Sequence, residues 1–155
     1  MYNVKKVNED LYWIGASDRR LALFENIYPI PRGVSYNSYV ILDEKIAVMD
    51  TIDTRKTDEW KENLERVLDG RTPDYLVVSH LEPDHAGSIK EFADKYPEAK
   101  IVASAKAIAM LPQFFEIADL ADRAVAVKEG EELSLGSHTL QFFMAPMVHW
   151  PEVMV

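Results

Sequence analysis

Residues His80 to His85, with the sequence His-Leu-Glu-Pro-Asp-His, place four side chains that can bind metal ions within six positions. They follow the apolar run at 75–78, which predicts a strand that delivers them to one edge of a sheet. His80 and Glu82 are two residues apart, so an extended backbone directs both to the same side. Asp84 and His85 are adjacent and point in different directions, which suits a second, neighbouring metal ion. Imidazole and carboxylate ligands without a thiolate favour iron, manganese or zinc, whereas the alternative is a polar loop that caps the next helix.

Three further polar residues also follow predicted strands or turns. His149 comes after the last strand, at the polar end where a fifth metal ligand is expected. Asp50 closes the strand at 46–49 at the same sheet edge, where its carboxylate can accept a hydrogen bond from a ligand imidazole and fix the tautomer. A simple turn role for Asp50 is equally consistent with its position. His138 lies in a predicted hairpin turn, and we expect its ring to be solvated.

The elements predicted around these residues are strands at both ends of the chain, with helices and strands alternating between them. Strands are predicted at 11–14, 34–42, 46–49, 75–78, 101–103, 124–127, 132–135 and 138–144, the second and third forming a hairpin. Helices are predicted from after Thr54 to near Gly70, over 89–96, and from a Ser104 cap to near Pro112. Trp13, Trp60 and the pair Phe114-Phe115 are interpreted as core side chains. This order predicts an α/β fold in which helices pack outside a sheet.

The composition limits the classes of function. The chain has 155 residues, of which 48% are apolar and 28% charged, enough for one core and a hydrated surface. Its net charge of -9 argues against a nucleic-acid partner, because such surfaces need clustered Lys and Arg. The absence of cysteine excludes disulfides and thiolate ligands. Because the N-terminus is polar and no apolar run approaches the roughly 20 residues of a membrane helix, we predict a cytoplasmic protein without membrane contact.

The pattern His80-x-Glu82-x-Asp84-His85 resembles the ligand motif of the metallo-β-lactamase superfamily, with glutamate at a position where the hydrolases usually carry histidine. That glutamate, together with the later sequence His149-Trp150-Pro151-Glu152, is similar to the pattern of the flavodiiron proteins, also called A-type flavoproteins. The segments at 33–39 and 86–88 are also similar to theirs. The resemblance extends from about residue 9 to the end of the chain.

The resemblance implies a metallo-β-lactamase-like αββα sandwich, of which residues 1–155 are about the first half, without the flavodoxin-like domain that carries FMN. It implies two non-haem iron ions. One is bound by His80, Glu82 and His149, and the other by Asp84 and His85. The family's bridging aspartate and final histidine come later than Val155. Trp150 is expected to lie towards the flavin, and we expect the apolar inner face of the sheet to be left uncovered.

The activity that the resemblance implies is the reduction of O₂ to water or of NO to nitrous oxide, with electrons from a flavin or a rubredoxin-like donor. A homodimer or a complementing second chain is then expected to complete the centre. One alternative is a half-domain without turnover that needs a partner chain. The other is a binuclear zinc hydrolase, in which Asp84 orients the metal-bound water that attacks the substrate.

Overall fold

A seven-stranded mixed sheet is the framework of the protein, which the computed structural model describes over residues 3–155. The strands are β1 (Lys5–Lys6), β2 (Leu11–Trp13), β3 (Ala16–Asp18), β4 (Leu23–Phe24), β5 (Tyr28–Pro29), β6 (Val34–Tyr36), β7 (Tyr39–Ile41), β8 (Ala47–Met49), β9 (Tyr75–Val78), β10 (Lys100–Ser104), β11 (Ala124–Val127), β12 (Glu132–Ser134) and β13 (Thr139–Gln141). The α-helices are α1 (Thr57–Leu68), α2 (Pro83–Ala86), α3 (Ile89–Lys95), α4 (Ala105–Met110) and α5 (Leu120–Arg123). Short 3₁₀ helices cover Thr54–Lys56 and Leu111–Gln113.

The order of strands in the main sheet is β1-β2-β7-β8-β9-β10-β11, and three two-stranded sheets pair β3 with β6, β4 with β5, and β12 with β13. Strands β8, β9, β10 and β11 run parallel, so their carboxyl ends meet at one edge of the sheet. Ligand sites in open parallel sheets form outside this edge. The predicted hairpin is present as β7 and β8, with Val40 opposite Val48. The predicted strand 34–42 is divided, because β6 leaves the main sheet to pair with β3.

The helix after β8 shows how the sequence sets both ends of an element. Asp53 accepts a hydrogen bond from the backbone N–H of Arg55 and so caps the 3₁₀ turn that leads into α1. Trp60 and Leu64 are fully buried on the sheet side of α1. The helix ends where Asp69 adopts a left-handed conformation with φ 46°, as predicted from the glycine that follows it.

Alternate residues of each central strand enter two separate hydrophobic clusters, which is the two-residue period of a strand buried on both faces. In β9, Leu76 and Val78 pack with the helices, whereas Val77 packs on the other face. On that second face, Phe142 and Met154 cover Val77 and its neighbours, and all are at most 4% exposed. The expectation of an uncovered inner face is therefore wrong at the centre of the sheet, because β13 and the C-terminal segment fold back over it.

Two side-chain predictions are wrong. The ring of His138 is not free in solvent, because its Nδ1 lies 2.7 Å from Asp43 Oδ2. The same oxygen also accepts the backbone N–H of His138, so the β12–β13 turn is attached to the β7–β8 turn. Phe114 is half exposed, because its helical turn lies at the surface, while the two tryptophans assigned to the core, Trp13 and Trp60, are buried. Within residues 3–155 no helix has the length and apolar character needed to cross a bilayer.

Candidate metal centre

The carboxyl end of β9 positions the metal-competent side chains. Beyond Val78 the chain bends at Ser79 and leads to Glu82, whose own backbone is extended with φ -61° and ψ 143°. Pro83 then begins α2, where its fixed φ and missing N–H suit the first helical turn. The segment predicted as a loop therefore contains a helical turn that carries Asp84 and His85, while His80 and Glu82 lie between β9 and that turn.

His80, Glu82 and His149 converge on one point, although His149 is 69 residues away from His80 in the sequence. Glu82 Oε2 lies 3.0 Å from His80 Nε2 and 3.0 Å from His149 Nε2, and the two imidazole nitrogens are 3.3 Å apart. His80 and Glu82 are buried, whereas the side chain of His149 is 65% exposed. The structure thus brings together three of the predicted ligands, two of them just after β9 and one on the C-terminal segment.

These separations are those expected around one metal ion. Nitrogen and oxygen donors bind such ions at roughly 2.0–2.1 Å, so donors at angles of 90–110° are about 2.8–3.4 Å from one another. The tautomer of His80 adds a second argument. Its Nδ1–H donates to Glu152 Oε1 at 2.8 Å, which leaves the lone pair of Nε2 directed at Glu82 and His149. Lone pairs facing a carboxylate repel unless a cation lies between them, so the donor set fits a bound metal ion.

Glu152 is the partner of His80 that the sequence analysis did not identify as a site residue. Its side chain is 1% exposed, and its Oε1 also accepts the backbone N–H of Leu81 at 3.0 Å. Its backbone oxygen accepts a hydrogen bond of 2.7 Å from Ser104 Oγ, at the end of β10. Glu152 therefore orients His80 and attaches the C-terminal segment, which carries His149, to the carboxyl edge of the sheet.

Asp84 and His85 form a second group of donors beside the first. His85 Nε2 lies 3.6 Å from Asp84 Oδ2, and the rings of His85 and His80 have centroids 5.4 Å apart. The other carboxylate oxygen of Asp84, Oδ1, is buried and has no hydrogen-bond partner. Burial raises the pKa of Asp84 above its ordinary value, against the lowering effect of His85. These two residues offer two donors to a second metal ion, and the orphaned oxygen of Asp84 fits such an ion.

Asp50 holds His85 from the other side. Asp50 Oδ2 lies 3.0 Å from His85 Nδ1, so the ring presents Nε2 to Asp84. The Asp50 backbone has φ 55°, a strained conformation for a residue other than glycine. It is kept in place because its carboxylate accepts hydrogen bonds from the N–H and the hydroxyl of Ser79. Asp50 thus contacts the imidazole of a candidate ligand, which is the first of the two roles that its sequence position allowed.

We expect the metal-free protein to show a pH dependence that originates at this pair. The hydrogen bond to Asp50 raises the pKa of His85 above its ordinary 6.5, although burial opposes this. A raised pKa in the folded state contributes stability that is fully present below pH about 6.5 and is lost as the pH rises through the folded value. The titration of the His85 ring, followed by NMR in the presence of a chelator, measures the shift. Asp50→Asn is expected to move the midpoint down.

The matched control for that titration is Asp58→Asn, because Asp58 is exposed on the first turn of α1 and has no contact with His85. It removes the same charge from the chain and is expected to leave the His85 midpoint unchanged. A midpoint that does not respond to Asp50→Asn contradicts the assignment of Asp50 as the cause.

Aromatic side chains flank the exposed side of the site. Trp150 is half buried, and its ring meets the edge of His80 with centroids 5.3 Å apart. Phe114 lies beyond it at 6.5 Å, and Val148 is 65% exposed next to His149. The predicted orientation of Trp150 towards a flavin stays a prediction. Its observed role is to pack between the core and His80.

The β4–β5 hairpin lies beside the start of α2 and was not predicted to take part in the site. The neighbouring Glu82 carboxylate raises the pKa of Glu25, at the tip of this hairpin, above its ordinary value. The hairpin encloses a cavity of about 180 Å³ with the start of α2. In the sequence, Glu25 is a single glutamate within an apolar stretch. Its position next to the site depends on the path of the folded chain, which the local sequence does not give.

A mixed sheet with candidate ligands from the carboxyl ends of its parallel strands defines a protein of the metallo-β-lactamase-like class. The chain matches the family described as ODP family beta lactamase over residues 34–155. It is 34% identical over 149 residues to a nitric oxide reductase of Moorella thermoacetica, which covers 96% of this chain and 37% of that protein. It is 33% identical over 150 residues to a flavo-diiron protein of Clostridium acetobutylicum, with coverage of 96% and 37%.

Solved structures show the same relationship. The flavodiiron protein from Giardia intestinalis superposes with a TM-score of 0.91 at 28% identity, over 99% of this chain and 37% of that one. Rubredoxin oxygen:oxidoreductase from Desulfovibrio gigas gives a TM-score of 0.89 at 33% identity, over 99% and 38%. The chain therefore belongs to the ODP family of β-lactamase-fold proteins and matches the N-terminal half of the metallo-β-lactamase-like domain of flavodiiron proteins. It spans a little over a third of the length of these relatives, and the predicted fold class is confirmed.

Proposed function

We propose that this chain provides the iron-binding edge of a diiron centre that reduces O₂ or NO. The observation that carries the proposal is the convergence of His80, Glu82 and His149, with donor atoms 3.0–3.3 Å apart and a His80 lone pair directed into the gap. Two histidines and one carboxylate are the donor set typical of non-haem Fe(II). The glutamate distinguishes this set from the histidine-rich zinc sites of carbonic anhydrase type.

In this proposal the first iron is bound by Nε2 of His80, Nε2 of His149 and Oε2 of Glu82. The second is bound by Asp84 and by Nε2 of His85. Two protein donors are fewer than an iron ion needs. We propose a homodimer or a complementing second chain as the source of further donors.

The residues around the ligands hold the centre in a form that can cycle between oxidation states. Burial of His80 and Glu82 excludes water from one side of the first site, which strengthens every electrostatic interaction there. Glu152 and Asp50 fix the tautomers of His80 and His85 and make both rings better donors. The carboxylates of Glu82 and Asp84 would compensate the positive charge of bound iron in either oxidation state.

We propose the substrate and the electron donor from the similarity to relatives that include a nitric oxide reductase of Moorella thermoacetica, an anaerobic nitric oxide reductase flavorubredoxin of Vibrio vulnificus and a rubredoxin oxygen:oxidoreductase. Bound iron would supply the electrons that convert O₂ to water or NO to nitrous oxide. We propose a flavin such as FMN, or a rubredoxin-like protein, as the source of those electrons. The exposed side of the site, next to His149 and Trp150, is the approach available to that donor.

The test is anaerobic reconstitution with Fe(II), followed by measurement of iron per chain and of NO and O₂ consumption with reduced FMN. Close to two irons per chain and consumption of either gas support the proposal. Iron binding without consumption identifies a half-domain that lacks turnover on its own. A protein that prefers Zn(II) and hydrolyses a chromogenic ester contradicts the reductase and supports the hydrolase alternative.

A further inference from the structure

A series of buried hydrogen bonds connects helix α1 to the loop that holds the second group of candidate ligands. The indole N–H of Trp60 donates to Ser38 Oγ at 2.9 Å, and the Ser38 hydroxyl donates to the backbone oxygen of Asp50 at 2.8 Å. Trp60 and Ser38 are both fully buried. Because the indole N–H occupies a lone pair of Oγ, the hydroxyl hydrogen is directed away from Trp60 and towards Asp50.

The peptide group between Asp50 and Thr51 links this hydroxyl to His85. Its oxygen accepts the Ser38 hydroxyl, while its N–H, on Thr51, donates to the backbone oxygen of His85 at 2.8 Å. The Thr51 hydroxyl donates to the same His85 oxygen at 2.9 Å. Because a peptide group is planar, a rotation that released its oxygen from Ser38 would also turn its N–H away from His85. The Ser38 hydroxyl therefore helps to hold the backbone of His85.

The same peptide group sets the direction of the Asp50 side chain. Asp50 has φ 55°, a conformation that is uncommon for residues other than glycine and that needs support from its surroundings. Its N–H donates to Val77 O at 2.8 Å and its oxygen accepts the Ser38 hydroxyl, so both of its backbone polar groups are paired. From this turn Asp50 Oδ2 lies 3.0 Å from His85 Nδ1. Both the backbone and the ring of His85 thus depend on the turn that Ser38 stabilises.

We propose that Ser38, with its hydroxyl oriented by Trp60, is a positioning residue for the second metal site. It acts through Asp50 on the tautomer of His85. A ring that donates Nδ1–H to Asp50 keeps the lone pair of Nε2 free for a metal ion, whereas the other tautomer carries a hydrogen on Nε2 and cannot bind the ion there. The inference rests on the proposed function, because it assigns Ser38 to a metal site that the proposed function requires.

The tautomer of His85 can be measured in the metal-free protein from the ¹⁵N chemical shifts of its ring, at a pH at which the ring is neutral. We expect the wild type to be mainly the Nδ1–H form. Asp50→Ala removes the partner of the ring and should lower the ratio of the Nδ1–H to the Nε2–H form by about tenfold or more. Ser38→Ala should lower the ratio in the same direction by about twofold to tenfold, the range that one uncharged hydrogen bond represents.

Ser38→Cys is the second variant, because it nearly keeps the volume of the serine side chain and has only a weak donor. It should lower the ratio as well, and thermal melting checks that each variant is folded. The control is Ser104→Ala, which also removes a buried hydroxyl that donates to a backbone oxygen, that of Glu152. This control should leave the His85 ratio at the wild-type value.

A ratio that stays at the wild-type value in the folded Ser38 variants overturns the positioning role. A fall of the same size in Ser104→Ala also overturns it, since the effect would then be a general loss of packing. The tautomer is measured without metal, so these results are independent of the iron content that tests the proposed function.

Discussion

Replacing His80 with alanine is expected to abolish tight metal binding at the first site. His80 is 6% exposed and gives Nε2 to the point where Glu82 and His149 converge, so no neighbouring side chain or water can take its place without rearrangement. Loss of a residue outside the ligand shell typically lowers metal affinity 10–100-fold, and we expect loss of this ligand to cost at least about 100-fold.

Stabilisation by the metal gives a direct measurement of this loss. A metal ion at a concentration 100 times its dissociation constant stabilises the folded state by about 2.7 kcal/mol. A variant with 100-fold weaker affinity gains only about 0.4 kcal/mol at the same concentration. Denaturant unfolding of wild-type protein and His80→Ala, each with and without Co(II), should therefore show a metal-dependent shift that is several times larger in the wild type.

The chain contains a matched control for this experiment in His138. It is the remaining histidine of the four, and it lies on the β12–β13 turn, where it contacts Asp43 and Asp10. His138→Ala removes an imidazole from outside the site and should keep the full metal-dependent shift. A similar loss of the shift in both variants would show that the metal binds at exposed histidines and not at the convergent group.

The local pattern of the sequence was sufficient to predict the strand and the place of the candidate ligands directly after it. An apolar run followed by His80, Glu82, Asp84 and His85 indicates a strand end with several metal-competent side chains at one edge of a sheet. Pro83 was not used in that prediction, although a proline at this position favours a helical first turn. The segment was consequently interpreted as a loop.

Residues that come from distant segments could be predicted only partly. His149 was predicted because it follows the last strand at its polar end, whereas Glu25 lies in an apolar stretch whose hairpin brings it into one pocket with Asp84. His138 was misjudged for the same reason. Its partner Asp43 is 95 residues away in the sequence, and no local rule pairs two turns of different sheets. Burial and long-range pairing depend on the path of the chain, which periodicity does not determine.

Replacing Glu152 with alanine is expected to be the most destabilising change at the site. Its Oε1 accepts hydrogen bonds from His80 Nδ1 and from the N–H of Leu81, and both donors are buried. Each buried donor left without a partner costs about 1–3 kcal/mol. Because Glu152 is also the group that fixes the His80 tautomer, we expect Glu152→Ala to lower metal affinity by about 10–100-fold. Denaturant unfolding of the metal-free protein and Co(II) titration measure the two effects separately.

Glu152→Gln separates the loss of hydrogen bonds from the loss of charge. The amide oxygen of glutamine can still accept from His80 and Leu81, so part of the stability of the metal-free protein should return, although the amide nitrogen replaces the buried, unpartnered Oε2. Metal affinity should remain below that of the wild type, since a neutral acceptor makes the His80 imidazole a weaker donor than a carboxylate does. Glu116→Gln, at an exposed position without a contact to the site, is the charge-matched control. If Glu152→Gln binds Co(II) as tightly as this control, Glu152 acts only as a structural anchor for the C-terminal segment, and its electronic effect on His80 is refuted.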